Sequence, residues 1–157
     1  MPFCSACGDA VGPEWPRKCA RGHVAYRNPT PVAVLLLPVD GGLLAIRRDI
    51  DPGRGKLALP GGFIEYGESW QDAAARECAE ESGAVVDPAG VTLFDTVSAP
   101  DGTLLVFGLV RGATELPESA ATEESTGWEV LRGPEELAFP LHTAAAARYF
   151  ASATVDG

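Results

Sequence analysis

The stretch from Gly61 to Gly83 constrains this chain more than any other part of it. Ser69, with Asp72 three positions later, reads as a helix start, and Gly83 is a typical residue just past a helix end. Between them runs Trp70-Gln71-Asp72-Ala73-Ala74-Ala75-Arg76-Glu77-Cys78-Ala79-Glu80-Glu81-Ser82. With roughly 3.6 residues per turn, Glu77, Glu80 and Glu81 crowd one face. Ala74, Ala75 and Cys78 form a face of small residues suited to close packing on a sheet. Like charges at these spacings each cost a helix about a few tenths of a kcal/mol, and only Arg76 offsets them. Hard divalent cations want such a set of oxygens, and Mg²⁺ is commonly held by carboxylates together with substrate phosphate. Taken alone, the helix also has a blander reading, an acidic face turned to solvent.

The elements around this helix follow from pattern. Tyr26 to Pro31 reads as an extended connector, because each Pro keeps its predecessor out of the helical region. Val32–Leu37 is a continuous apolar run, as in a strand buried on both faces. Asp40-Gly41-Gly42 is a hairpin signal leading into Leu43–Arg48. Residues 49–56 form a loop, and Leu57–Pro60 a short strand. Val91–Val97 and Leu104–Val110 flank a second hairpin at Pro100-Asp101-Gly102, and an acidic loop of residues 112–126 precedes a strand near Trp128–Leu131. His142–Phe150 closes the chain as a helix in which His142 is expected to be structural. The order of strands and helices predicts an α/β class with a mixed sheet flanked by helices.

The 157 residues and 46% hydrophobic content suit one compact domain with a small appendage. No apolar run is long enough to span a membrane, and no secretory signal is visible. Twelve Lys and Arg against 22 Asp and Glu give a net charge of −10. That charge argues against non-specific nucleic-acid binding and anionic membranes. Small anionic substrates stay open, because a metal ion can supply positive charge.

Three of the four cysteines fall in the first 19 residues, as Cys4-x2-Cys7 and then Cys19-x3-His23. Residues 1–28 are rich in Gly, Pro and Cys and too short of apolar runs to fold by burial. Thiolates and an imidazole at this spacing suit a tetrahedral structural zinc, with Cys4, Cys7, Cys19 and His23 as ligands. The alternative is three free thiols in a mobile arm. The expected organisation is therefore an arm at 1–28 and a second unit at 29–157. Phe3, Trp15 and Tyr26 could stack a base, but the expectation is that they pack between the two.

The pattern Gly62-x5-Glu68-x7-Arg76-Glu77-x2-Glu80-Glu81-x-Gly83 resembles the Nudix box, a loop–helix–loop signature of hydrolases acting on nucleoside diphosphates linked to another moiety. The preceding Leu59-Pro60-Gly61-Gly62-Phe63 is similar to the family's approach to the box. The resemblance implies an α/β/α sandwich with a mixed sheet. It implies Mg²⁺ or Mn²⁺ held by Glu77, Glu80, Glu81 and the Gly62 carbonyl, with Arg76 orienting Glu68. Cleavage would fall between two phosphorus atoms. The general base in this family often lies outside the box, and here Glu118, Glu123 and Glu124 are available, with Glu123 or Glu124 favoured. Their alternative is a solvated charge run. Arg47, Arg48, Gly61 and Gly62 are the expected substrate-binding residues, with Arg54 and Lys56 nearby; for the cations, solvation is the competing reading.

The opening Phe3-Cys4-x2-Cys7-Gly8 and the later Tyr26-x-Asn28-Pro29 are similar to Nudix proteins carrying an N-terminal zinc ribbon, such as the NADH pyrophosphatases. Two departures argue against NADH specificity: the second knuckle lacks its own CxxC, and Asp95 to Gly102 replaces the Pro-rich motif of those enzymes. The expected partner is a small-molecule nucleoside diphosphate derivative, with no membrane and no nucleic acid, in a cytoplasmic protein. A homodimer is the assembly left open. A nucleotide-binding sensor without turnover is the competing function.

Overall fold

The computed structural model describes residues 2–112 and 114–153. Its elements are β1 (Arg17–Lys18), β2 (Val24–Ala25), β3 (Thr30–Leu36), β4 (Pro38–Val39), β5 (Gly42–Arg48), β6 (Leu57–Ala58), β7 (Gly61–Phe63), α1 (Trp70–Ser82), β8 (Val91–Ser98), β9 (Thr103–Val110), β10 (Ser125–Leu131) and α2 (Pro140–Ala153).

Two four-stranded sheets carry the fold. One has the order β7-β3-β9-β8, with β3 and β9 parallel and the outer pairs antiparallel; the other has β10-β5-β4, with β6 also on β5. Strand β3 explains why both faces are covered. Ala33 and Leu35, followed by Leu37, enter a core cluster with Ala73, Ala74, Ala75 and Cys78 of α1. Val34 and Leu36 face the other way, into a cluster with Ala145 and Ala146 of α2. Strand β5 splits in the same alternation, Leu44 and Ile46 to one side and Leu43 and Ala45 to the other. The layers are thus helix, mixed strands, helix. A fully buried Leu such as Leu35 or Leu36 contributes about 1.5–3 kcal/mol relative to exposure.

Several boundaries differ from the sequence expectation, each for a physical reason. Strand β3 starts at Thr30, inside the expected connector, because extended backbone becomes a strand once Pro31 faces Leu104. Strand β10 starts at Ser125, where a register shift before Trp128 lets Ser125 pair with Arg48. Helix α2 opens at Pro140, whose fixed φ suits a first turn. His142 is buried in it, edge-on to Phe107 and Phe139, and burial holds its pKa down at about 4. Phe3, Trp15 and Tyr26 are exposed by 67%, 41% and 68%, so they do not form the expected packing layer. Among the described residues, no helix is long and apolar enough to cross a membrane.

Candidate active site and metal centre

Helix α1 is set by its two ends. Ser69 Oγ accepts the Asp72 N–H at 3.1 Å, and Gly83 adopts φ 75°, a left-handed conformation that lets its N–H reach the Ala79 carbonyl at 2.8 Å. Burial of the Ala and Cys78 face then fixes the rotation of the helix. The same buried side also meets the short strand β7, where Glu81 Oε2 accepts the Gly61 N–H at 2.9 Å. Gly62 lies directly against Glu77: a Cβ at this position would stand 2.3 Å from the carboxyl carbon. Any side chain here would have to push the Glu77 carboxylate away from the strand.

Arg76 ties the carboxylates together. It binds Glu68 through both arms, Nη2 to Oε1 at 2.7 Å and Nε to Oε2 at 3.2 Å. Nη1 reaches Glu77 Oε1 at 2.7 Å and, more weakly, Glu80 Oε2 at 3.5 Å, while Nη2 also donates to the Phe63 carbonyl at 3.0 Å. The Arg76 pair, helped by the Glu65 N–H, holds the Glu68 carboxyl below its ordinary range.

Electrostatics differ sharply along the helix. Glu80 is exposed, Glu77 partly buried, and Glu81 only 4% exposed. Burial pushes the Glu81 carboxyl up to about 8; the charges of Glu77 and Glu124 add to the rise, while the Gly61 N–H and Arg48 oppose it. Burial also raises Glu77, against the pull of Arg76. A carboxyl that ionises with such difficulty is one whose charge calls for a cation.

A cleft of about 380 Å³ is lined by Glu77, Glu80 and Glu81 on one wall and Thr122, Glu123 and Glu124 on the other. The second wall is pinned by hydrogen bonds. Thr122 Oγ1 accepts the Ser125 N–H at 3.2 Å, Ser125 Oγ donates to the Glu81 carbonyl at 2.8 Å, and the Glu124 carbonyl accepts the Asp49 N–H at 2.8 Å. Sequence reasoning missed Thr122 and Ser125, which carry no motif and act from more than forty residues away. Glu118 lines a separate cleft with Trp128 and Leu116, so it does not join this site.

The cations divide. Arg47 is consumed by Glu129, at 2.6 and 3.0 Å, and by the Gly55 carbonyl at 2.8 Å. Arg48 spends its Nε on the Pro52 carbonyl and lies over the Phe139 ring, but its charge reaches Glu81. Arg54 and Lys56 pair loosely with Asp49 and Glu136.

A second constellation lies in the arm. The ligand atoms of Cys4, Cys7, Cys19 and His23 all fall within 4.8 Å of one another. Cys7 and Cys19 sulfurs are 3.8 Å apart, and His23 Nδ1 lies 3.8 Å from Cys4 and 3.4 Å from Cys19. Two thiolates at a zinc–sulfur length of about 2.3 Å stand about 3.8 Å apart in a tetrahedron. The donor set could therefore hold one tetrahedral ion.

Comparison with known proteins places this architecture. The family description "NUDIX domain" matches residues 27–153. An ADP-ribose pyrophosphatase of Methanocaldococcus jannaschii is 37% identical over 76 residues, which is 48% of this chain and 44% of that protein, so the match spans less than half of the relative's length. The crystal structure of a NUDIX hydrolase from Nitrosomonas europaea superposes with TM-score 0.78 and 26% identity, covering 99% of this chain and 93% of that one. A MutT NUDIX hydrolase from Burkholderia pseudomallei gives TM-score 0.62 and 25% identity over 76% of this chain and 97% of its own. With its two-sheet core, its carboxylate helix against Gly61 and Gly62, and a family match over most of its length, the chain belongs to the NUDIX domain family of hydrolases.

Proposed function

We propose that the chain is a divalent-cation-dependent pyrophosphohydrolase that cleaves a nucleoside diphosphate linked to another moiety, with ADP-ribose-like compounds as the first candidates. The observation that carries this reading is the cleft in which five glutamates from two distant segments converge around the buried Glu81. A nucleotide sensor has no need of carboxylates that repel one another and resist ionisation. The 37% identity to an ADP-ribose pyrophosphatase supports the substrate class.

Glu77, Glu80 and Glu81 and the Gly62 carbonyl would hold Mg²⁺ or Mn²⁺. When bound, such a cation polarises the phosphate oxygens and eases deprotonation of water. The chain's own residues prepare the rest. Arg76 fixes Glu68 and Glu77 in one orientation. The Gly61 N–H aims the Glu81 carboxylate. Glu124 is favoured as the base that takes the proton from attacking water, because it lines the facing wall and its charge is felt at both Glu77 and Glu81. Arg48, rather than the engaged Arg47, is favoured for contact with substrate phosphate.

Residues 1–28 are proposed as an arm stapled by one zinc on Cys4, Cys7, Cys19 and His23, ahead of a hydrolase unit at 29–157. Free thiols in a reducing cytoplasm fit this reading. The test is a panel of ADP-ribose, NADH, FAD, nucleoside triphosphates and diadenosine polyphosphates with Mg²⁺ or Mn²⁺. The reading expects release of a nucleoside monophosphate from at least one dinucleotide or nucleotide-sugar. Binding without turnover across the panel would favour the sensor.

A further inference from the structure

The segment that carries the second wall of the cleft is built like a hairpin. Residues 119–122 run antiparallel to the start of β10 and in step with it: Ser119 meets Trp128, and Thr122 meets Ser125. Glu123 and Glu124 are left between Thr122 and Ser125 as a two-residue tip, a common hairpin loop length. Hydroxyls do much of the pairing. At the root, Ser119 Oγ accepts the Trp128 N–H at 2.8 Å and donates to the Trp128 carbonyl at 2.7 Å, which one hydroxyl can do at once. At the tip, the Thr122 N–H donates to the Ser125 carbonyl at 2.8 Å. Thr122 Oγ1 accepts the Ser125 N–H at 3.2 Å and, more weakly, the Glu124 N–H at 3.4 Å. Ala120 and Ala121 between them have no polar side chain to add.

Strand β10 is shaped to receive the root. Its register shifts between Ser125 and Trp128, and Gly127 lies inside that irregularity with φ 135°, a backbone conformation that favours glycine. A Cβ on Gly127 would stand 2.6 Å from Ser119 Oγ, so the absent side chain is the seat of the hydroxyl. Glu118, one residue before the root, lines a different cleft, whereas Glu123 and Glu124 line the one with Glu81. The acidic segment therefore divides at Ser119. We infer that Ser119 is a positioning residue for Glu124: its hydroxyl fixes the root of the outer arm, the arm fixes Thr122, and Thr122 fixes the tip. The inference rests on the proposed function, in which Glu124 takes the proton from attacking water. Substrate phosphate would be held by cations on the facing wall of Glu77, Glu80 and Glu81. Loosening the root should therefore slow proton transfer and leave substrate affinity in place.

The test pairs steady-state kinetics on ADP-ribose with backbone hydrogen exchange, both on the full chain. Ser119 is exposed, so its variants should fold. Ser119→Ala should lower kcat by about tenfold or more and change KM by less than about twofold. Ser119→Thr keeps the hydroxyl and should restore kcat to within about threefold of wild type. Added to Glu124→Gln, Ser119→Ala should cost almost nothing further, because it acts through a base already removed. Exchange at the Thr122 and Ser125 amides should quicken by about tenfold in Ser119→Ala and stay near wild type in Ser119→Thr. Parent kcat in Ser119→Ala, a loss confined to KM, a Thr variant as slow as the Ala variant, or a full additional loss in the double variant would each overturn the inference. If the wild type hydrolyses nothing in the panel, the hydrolase reading falls and exchange alone decides whether Ser119 holds the tip: quickened amides support it, and unchanged amides overturn it.

Discussion

Replacing Glu81 by Gln should stabilise the metal-free protein while disabling it. Glu81 is nearly isosteric with Gln, and the amide oxygen can still accept the Gly61 N–H. What changes is the charge. Without a cation, the Glu81 carboxyl is held at about 8 against an ordinary 4.5. Below pH 4.5 it is protonated in the folded and unfolded chain alike, so burial costs little. As pH rises toward 8, the unfolded chain ionises freely while the folded one must stay protonated or carry a buried charge, and stability falls. The raised value corresponds to an upper bound of roughly 4–5 kcal/mol at alkaline pH. Glu81→Gln escapes that cost, so at pH 8.5 in EDTA its midpoint should lie roughly 5–15 °C above wild type. Mg²⁺ should raise the wild-type midpoint and leave the variant nearly unmoved. Turnover of the best substrate should drop about a hundredfold or more. Thermal denaturation with and without Mg²⁺, followed by kinetics on the same preparations, makes the test. A variant less stable than wild type in EDTA at pH 8.5, or one as active as wild type, would refute the reasoning.

Further outcomes follow from other parts of the molecule. Gly62→Ala should fold with the Glu77 carboxylate displaced and lose most activity, since its Cβ would overlap that carboxyl; an unmoved Glu77 in a crystal structure, or kinetics at parent level, would contradict this. Cys7→Ser should lose one zinc per chain by elemental analysis and expose residues 1–28 to protease, while part of the hydrolysis survives. Metal-free wild-type protein with a resistant arm would contradict this. His142, held at about 4 by burial against an ordinary 6.5, supplies stability that is fully present above pH 6.5 and is lost as pH falls toward 4. His142→Phe should flatten that acid limb of the denaturation profile, by up to about 3 kcal/mol. Chelation should remove turnover, and Mg²⁺ or Mn²⁺ should restore it.

How much could be read from sequence depended on the range of the interactions. Helix α1 was legible to within a residue because Ser69, Asp72 and Gly83 signal locally and the small face dictates its packing. The hairpins at Asp40-Gly41 and Asp101-Gly102 were legible for the same reason. The strand ends were not, since Thr30 and Ser125 become strand only through partners far along the chain. The second wall of the cleft was the least legible part. Three glutamates of one acidic loop look alike in sequence, and only the Thr122–Ser125 turn beneath Glu81 brings Glu123 and Glu124 over the site and leaves Glu118 outside. Arg47 and Arg48 are adjacent and chemically identical, yet strand alternation hands one to Glu129 and leaves the other facing the loop and Glu81.

In the proposed reaction, water attacks a phosphoanhydride held in the glutamate cleft. Hydrolysis of ADP-ribose in ¹⁸O-labelled water with Mg²⁺, read by mass spectrometry of the products, addresses it most directly. The expected products are AMP and a ribose phosphate, with one labelled oxygen on one phosphate per turnover, and no products in EDTA. Intact substrate after prolonged incubation with Mg²⁺ and Mn²⁺ across the whole panel, or label appearing on the sugar carbon instead of phosphorus, would contradict it.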